Sequence, residues 1–145
     1  MKLKLKLIEL RACSEAIEWV RTKTLKTAWK TCKNGSWMLW LSFKMKDQLG
    51  WSDIKEITLA KVKCARLVQH LMKDQRSLDA LDIAERWAKN EAIDEELKTT
   101  AAAYDAAYAA ADAYAAAYDA AAAARKNILK QCADICRETL KIGKI

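Results

Sequence analysis

The chain opens on strict alternation, with Lys2, Lys4 and Lys6 interleaved with Leu3, Leu5 and Leu7. A period of two suits a short strand, yet no other segment offers a partner strand. Residues 1–8 are therefore expected to be an extended or frayed lead-in, or a strand added to a partner. From Glu9 the period lengthens. Leu10, Cys13, Ile17 and Val20 recur at helical spacing with Trp19 beside them, which predicts a first helix. Thr24 is placed to cap a second helix carrying Leu25, Ala28, Trp29 and Cys32. Asn34-Gly35 would end it, because both residues tolerate the left-handed conformation. Ser36 would cap a third, whose opening Trp37-Met38-Leu39-Trp40-Leu41 is apolar on every side and so belongs in the middle of the domain; Gly50 breaks it. Ser52 or Asp53 starts a fourth, with Glu56 in its first turn and Ile57, Ala60, Cys64, Leu67, Val68 and Leu71 facing inward. A polar turn at 73–76 leads to a fifth helix capped by Ser77, with Leu78, Leu81, Ala84, Trp87 and Ala88 inward. A further turn follows near Glu91 to Asp94.

Nothing between about Asp94 and Leu140 would stop a helix. Forty residues would reach about 60 Å, whereas a compact chain of this length has a radius of gyration of about 14 to 15 Å. Either the helix breaks, with the break expected between Ala120 and Lys126, or it projects and is covered by a partner. The break is preferred. The expected fold class is thus all-α: a single compact bundle of six or seven helices, with residues 9–145 as one helical domain and a long Ala-rich C-terminal helix.

Composition agrees with this. Pro is absent and Gly occurs three times in 145 residues, while 52% of positions are apolar and 31% charged, which is globular rather than disordered usage. Five Cys is an odd number, and the first residues hold no apolar core of a secretory signal. Reduced thiols and a cytoplasmic location are expected. The one apolar run of membrane-spanning length, Ala101 to Ala124, carries Asp105, Asp112 and Asp119, so no membrane association is expected.

Charge is uneven. Residues 1–73 hold 16 Lys/Arg against 6 Asp/Glu, a net +10, and residues 74–145 hold 10 against 13, a net −3. One reading is a basic surface for nucleic acid or an acidic partner. The other, preferred because the Lys are dispersed, is a basic half docked on an acidic half, the remainder serving solubility.

The Ala-rich stretch is the most distinctive part of the chain. At about 100° per residue, Tyr104, Tyr108, Tyr114 and Tyr118 fall within an arc of about 120°, with Asp105, Asp112 and Asp119 as a stripe on its flank. No Lys or Arg occurs from Thr99 to Ala124. Such a face can bind a cationic partner or take stacking and hydrogen-bonding contacts. Alternatively the rings cover the core and the carboxylates face water. Cys132 and Cys136 share a helix face but are too few for a structural zinc site and are expected in the core, and the lone His70 is expected to be structural. Trp37, Trp40, Phe43 and Trp51, flanked by Lys30, Lys33, Lys44 and Lys46, could stack bases, but at helical spacing Trp37, Trp40 and Phe43 read first as core. Nucleophile motifs, a Gly-rich phosphate loop and a paired His/Glu are missing, so neither catalytic residues nor a metal or cofactor is expected.

Ala12-Cys13, Glu15-Ala16, Trp19, Ala28-Trp29 and Cys32 lead to Gly35-Ser36-Trp37-Met38-Leu39-Trp40-Leu41. They are followed by Arg76, Ala80-Leu81, Ala84, Trp87-Ala88, Glu91-Ala92 and the Ala-rich stretch. This layout resembles a family of small all-helical immunity proteins of phages and bacterial genomes. The resemblance spans most of the chain from Ala12 onward and carries over no functional residues. It implies a non-catalytic protein that neutralises another macromolecule, as an immunity protein or an inhibitor of host defence. Its expected partner is a protein, with Tyr104, Asp105, Tyr108, Asp112, Tyr114, Tyr118 and Asp119 as the candidate surface and homo-oligomerisation through the long C-terminal helix possible. The second reading is a basic helical module that binds nucleic acid or a nucleotide signal through Lys23, Lys26, Lys30 and Lys33. A third, a metal-dependent enzyme built on Asp105, Asp112 and Asp119, is weaker than either.

Overall fold

The computed structural model describes residues 1–71, 75–98 and 122–145, and every regular element among them is helical. These are α1 (Lys2–Glu9), α2 (Ser14–Val20), α3 (Leu25–Thr31), α4 (Gly35–Met45), α5 (Ile54–Arg66) followed by a 3-10 turn (Gln69–Leu71), α6 (Gln75–Ala88) and α7 (Ala122–Thr139). Residues 94–98 are also helical.

The lead-in corrects the sequence expectation. Lys2–Glu9 is neither extended nor frayed but a helix with Leu3 and Leu7 buried. With no strand among the described residues to pair its N–H and C=O groups, the segment satisfies them within itself, and Lys and Leu both favour helix. Its stop is a Schellman turn, in which Ala12 N donates to Leu7 O (2.9 Å) and Arg11 N to Ile8 O (3.0 Å). Arg11 sits at φ 60°, where Gly is the usual residue. Of the first helix predicted from Glu9, only α2 forms: Glu9 ends α1, and residues 10–13, with Leu10 and Cys13 among them, are the turn between the two.

Two predicted caps are in place. Thr24 accepts from Thr27 N at 3.2 Å and Asp53 from Glu56 N at 2.9 Å. Asn34 is not a helix stop but the cap of α4, accepting from Trp37 N at 3.3 Å in place of Ser36. Gly35 lies inside α4 for a different reason from conformational freedom. A Cβ there would stand 2.6 Å from the carbonyl carbon of Cys132 and 2.7 Å from the amide nitrogen of Ala133 on α7. Ser77 is within α6, which already runs from Gln75. The turn after α6 is a second Schellman turn, with Asn90 at φ 61° and Glu91 N donating to Arg86 O at 2.7 Å.

The central element is α5, which packs on α4, α6 and α7. One of its faces puts Ile57, Ala60 and Cys64 into a core shared with Leu39 of α4 and Ala133 and Cys136 of α7. The other puts Val62 and Ala65, with Val68 just beyond the helix end, against Leu81 and Ala84 of α6. The helix expected at the centre, α4, is partly open: Trp37 and Trp40 are half-buried and Phe43 is exposed. Cys132 and Cys136 lie in the core as expected, and His70 is exposed. No break interrupts the helix from Ala122 onward. The expected break between Ala120 and Lys126 is thus absent at positions 122–126; the rest of that window and the long Ala-rich stretch before it lie outside the described residues.

The two charge halves are joined by Arg66, which bridges Asp82 (2.8 Å) and Glu85 (3.1 Å) across the α5–α6 seam, and, with the signs reversed, by Lys141 and Glu56 (3.4 Å). Partial burial disfavours the charge of Arg66, but the two carboxylates outweigh that and hold it above its ordinary pKa. The other described ion pairs within residues 1–73 are local, Lys6 with Glu9 and Lys46 with Asp47.

A longer-range tie comes from α7. The Arg137 guanidinium donates to Trp29 O (3.0 Å) and Cys32 O (2.8 Å), caring for carbonyls that the end of α3 leaves without helical partners, and to Asp134 (2.7 Å). Arg137→Ala is expected to cost about 1.5 to 3 kcal/mol, the range for hydrogen bonds from a charged group. Arg137→Lys should recover less than half, since one guanidinium nitrogen serves both carbonyls while the other holds Asp134, and a single ammonium cannot do both. Urea unfolding monitored by circular dichroism reads both.

Candidate functional site

Four short helices, α1 to α4, close around a cavity of about 300 Å³. Its wall is almost wholly apolar: Leu3 and Leu7 from α1, Ala16, Trp19 and Val20 from α2, Ala28 and Trp29 from α3, and Trp37, Met38, Trp40 and Leu41 from α4. Arg11, Ala12 and Cys13 of the α1–α2 turn complete it together with Cys32 and Ser36. Four of the six Trp thus face one hollow. Trp19 and Trp37 meet at 6.1 Å between ring centroids and 55° between planes, a tilted pair of the kind aromatic quadrupoles favour. The hollow exists because the residues between the rings are small: flat indoles set against Ala12, Ala16 and Ala28 cannot interdigitate as branched side chains do.

Polar chemistry in the wall is sparse. The Cys32 thiol is pushed up from its ordinary pKa by burial, against the smaller pulls of the Asn34 backbone and the Arg137 charge. It is engaged with Asn34, whose amide donates to Sγ at 3.4 Å. A protonated, hydrogen-bonded thiol is a wall group rather than a nucleophile. Cys13, by contrast, is exposed.

The predicted site residues fall into two groups. Tyr104, Asp105, Tyr108, Asp112, Tyr114, Tyr118 and Asp119 lie outside the described residues. Of the basic set, Lys23 is committed locally: Nζ donates to Trp19 O at 2.7 Å and rests 4.6 Å from the centre of the Trp19 ring. Lys26, Lys30 and Lys33 are exposed on and just beyond α3. The aromatic cluster expected as core or base-stacking surface is divided. Trp37 and Trp40 wall the cavity, Trp51 is buried, and exposed Phe43 has the ammonium groups of Lys46 (4.9 Å) and Lys61 (5.3 Å) over its ring. The Phe43 ring is thus engaged by two cations.

A second surface was hidden in the Lys-Leu alternation. In a helix, at about 100° per residue, alternate positions divide between two opposite sides. Leu3 and Leu7 point into the protein, whereas Leu5 is 62% and Ile8 50% exposed, with Met1 beside them. The stripe of Met1, Leu5 and Ile8 is flanked by exposed Lys2 and Lys4.

Neither the cavity nor this stripe was anticipated from sequence. Ala12, Cys13, Ala16, Trp19, Ala28, Trp29, Cys32, Ser36, Trp37, Met38, Trp40 and Leu41, each singled out in the sequence, line the cavity, and Leu3, Leu7, Arg11, Val20 and Leu25 complete it. Comparison of the chain with protein-family models, with characterised proteins and with solved structures finds no match.

The thiols report directly on this arrangement. Cys13 is exposed while Cys32, Cys64, Cys132 and Cys136 are buried, so a disulfide reagent added to native protein should label one thiol quickly and the other four only as the protein unfolds. Intact-mass spectrometry over time, with peptide mapping of the first adduct, checks it; early labelling of Cys32 would mean that the cavity wall opens.

Proposed function

We propose that this chain is a non-catalytic binding protein of phage or mobile-element type, one that neutralises another macromolecule by occupying its surface. The single observation that carries the reading is the second apolar stripe of α1. Isolated exposed apolar residues are ordinary, but a stripe at helical spacing on a helix already packed by its other face is a surface prepared for contact. Helix-in-groove recognition uses anchors at this i, i+4, i+7 spacing, here Met1, Leu5 and Ile8. The flanking Lys2 and Lys4 match a protein groove with an acidic rim.

On the same proposal, the Tyr/Asp face of a long Ala-rich C-terminal helix, Tyr104 to Asp119, is a further partner surface, and a location in the cytoplasm suits the free thiols. The immunity-protein resemblance fits a function of this type. Among the described residues no helix is long and apolar enough to cross a membrane.

A second reading has one observation of its own: Lys26, Lys30 and Lys33 are exposed and form no ion pair among the described residues. A basic module binding nucleic acid through these three would show a slope of log affinity against log salt of about −2.7 on duplex DNA.

Leu5→Glu combined with Ile8→Glu should leave the unfolding free energy within about 1 kcal/mol, as two exposed substitutions do. In nuclease-treated host lysate the variant should lose a stoichiometric protein partner that the parent chain retains. Retention by both proteins would remove the α1 stripe from the account. Capture of nucleic acid that nuclease abolishes, with the salt slope above, would replace the first reading by the second.

A further inference from the structure

We propose that the Trp-walled cavity binds a small amphiphile, with a hydrocarbon body inside and one anionic head group held at the mouth by Arg11. This is independent of the α1 stripe, which lies on the outer side of the same helix.

Volume sets the size of the body. At about 300 Å³, the cavity is roughly twice the ~150 Å³ of an apolar cavity that takes one benzene. It therefore suits two fused rings or an alkyl chain of similar bulk. The wall offers such a body indole faces, Leu and Val methyls and Met38, while rigid rings lose little conformational freedom when they close on it. Left unfilled, an apolar hollow forfeits dispersion contacts in proportion to its volume, and a ligand would restore them.

Charge sets the head group. Arg11 is the one charged residue in the wall. It is exposed, and among the described residues its guanidinium makes no ion pair. The Schellman turn fixes its backbone at φ 60°, so the side chain leaves from a defined point on the rim. An anion there gains a charge-assisted hydrogen bond, and a cation is repelled.

The test uses decanoate and decylammonium, which share a chain and differ in the sign of the head, each titrated below its micelle-forming range into ¹⁵N-labelled protein. The six indole N–H resonances are the readout. Those of Trp19, Trp29, Trp37 and Trp40 should shift saturably with decanoate, while Trp51 and Trp87 stay, Trp87 being held by its 2.8 Å bond to Asp94. Decylammonium should bind at least about fivefold more weakly, near the upper end for an ion pair open to water. The net charge of +7 favours anions over the whole surface, so Arg11→Gln separates the local effect: it should weaken decanoate by about the same factor and leave decylammonium no worse. Ala16→Phe, which fills the hollow, should abolish all four shifts. Should that variant fail to fold, the head-group comparison and Arg11→Gln still decide. Absence of a saturable shift, movement of Trp51 and Trp87 with the rest, or equal affinity for the two head groups would each overturn the proposal. An unchanged decanoate affinity in Arg11→Gln would overturn the role of Arg11.

Discussion

Where α4 crosses α7, the backbone at Gly35 lies so close to Cys132 and Ala133 that no side chain fits between them. The approach is fixed from both sides. Buried Cys136 reaches the Gly35 carbonyl at 3.8 Å, and Arg137, one residue on, holds the end of α3 through Trp29 O and Cys32 O. One turn of α7 therefore sets both the start of α4 and the end of α3, the two elements that give the cavity Trp29, Trp37 and Trp40. Small residues at a helix crossing let backbones approach and dispersion contacts multiply. That arrangement suits a short chain whose helices, several of seven or eight residues, could not stand alone in water.

The same economy explains α1. An alternation of Lys and Leu has a single apolar face only as a strand, and as a helix it must have two. Leu3 and Leu7 close the cavity floor, and Leu5 and Ile8 are left outward. A sequence selected for folding alone would place polar residues at 5 and 8. Keeping Leu and Ile there is the local inconsistency by which functional surfaces are recognised.

Much of the fold was legible because its determinants are local. Thr24 and Asp53 act as caps, Asn90 takes the left-handed position near the predicted turn, and the stripe Ile57, Ala60, Cys64 faces the core, all from spacing and side-chain chemistry. What was missed depends on neighbours. The period-two lead-in is a helix because no strand among the described residues is available to it, which is not a local property. Asn34-Gly35 was read as a stop because both residues favour left-handed backbone, whereas Asn34 caps the next helix and Gly35 is demanded by α7, about a hundred residues further on. The Trp residues were read as core since indoles are usually packed. That they surround a hollow follows from the Ala residues opposite, which only the fold brings together. The Tyr/Asp face, so regular in sequence, falls on residues the structure does not describe.

The central claim, that Gly35 is required by the contact with α7, is tested most directly by the equilibrium unfolding free energy of Gly35→Ala. In an unconstrained helix Ala is favoured over Gly by about 0.5 to 1 kcal/mol. With the Cys132 and Ala133 backbone in the way, the same substitution should instead destabilise by about 1 to 3 kcal/mol or more, the range for overpacked cores. Since part of the obstruction is backbone, adding Cys132→Gly should not restore the loss. A variant as stable as the parent, or more so, would show that α4 and α7 are not held at this distance.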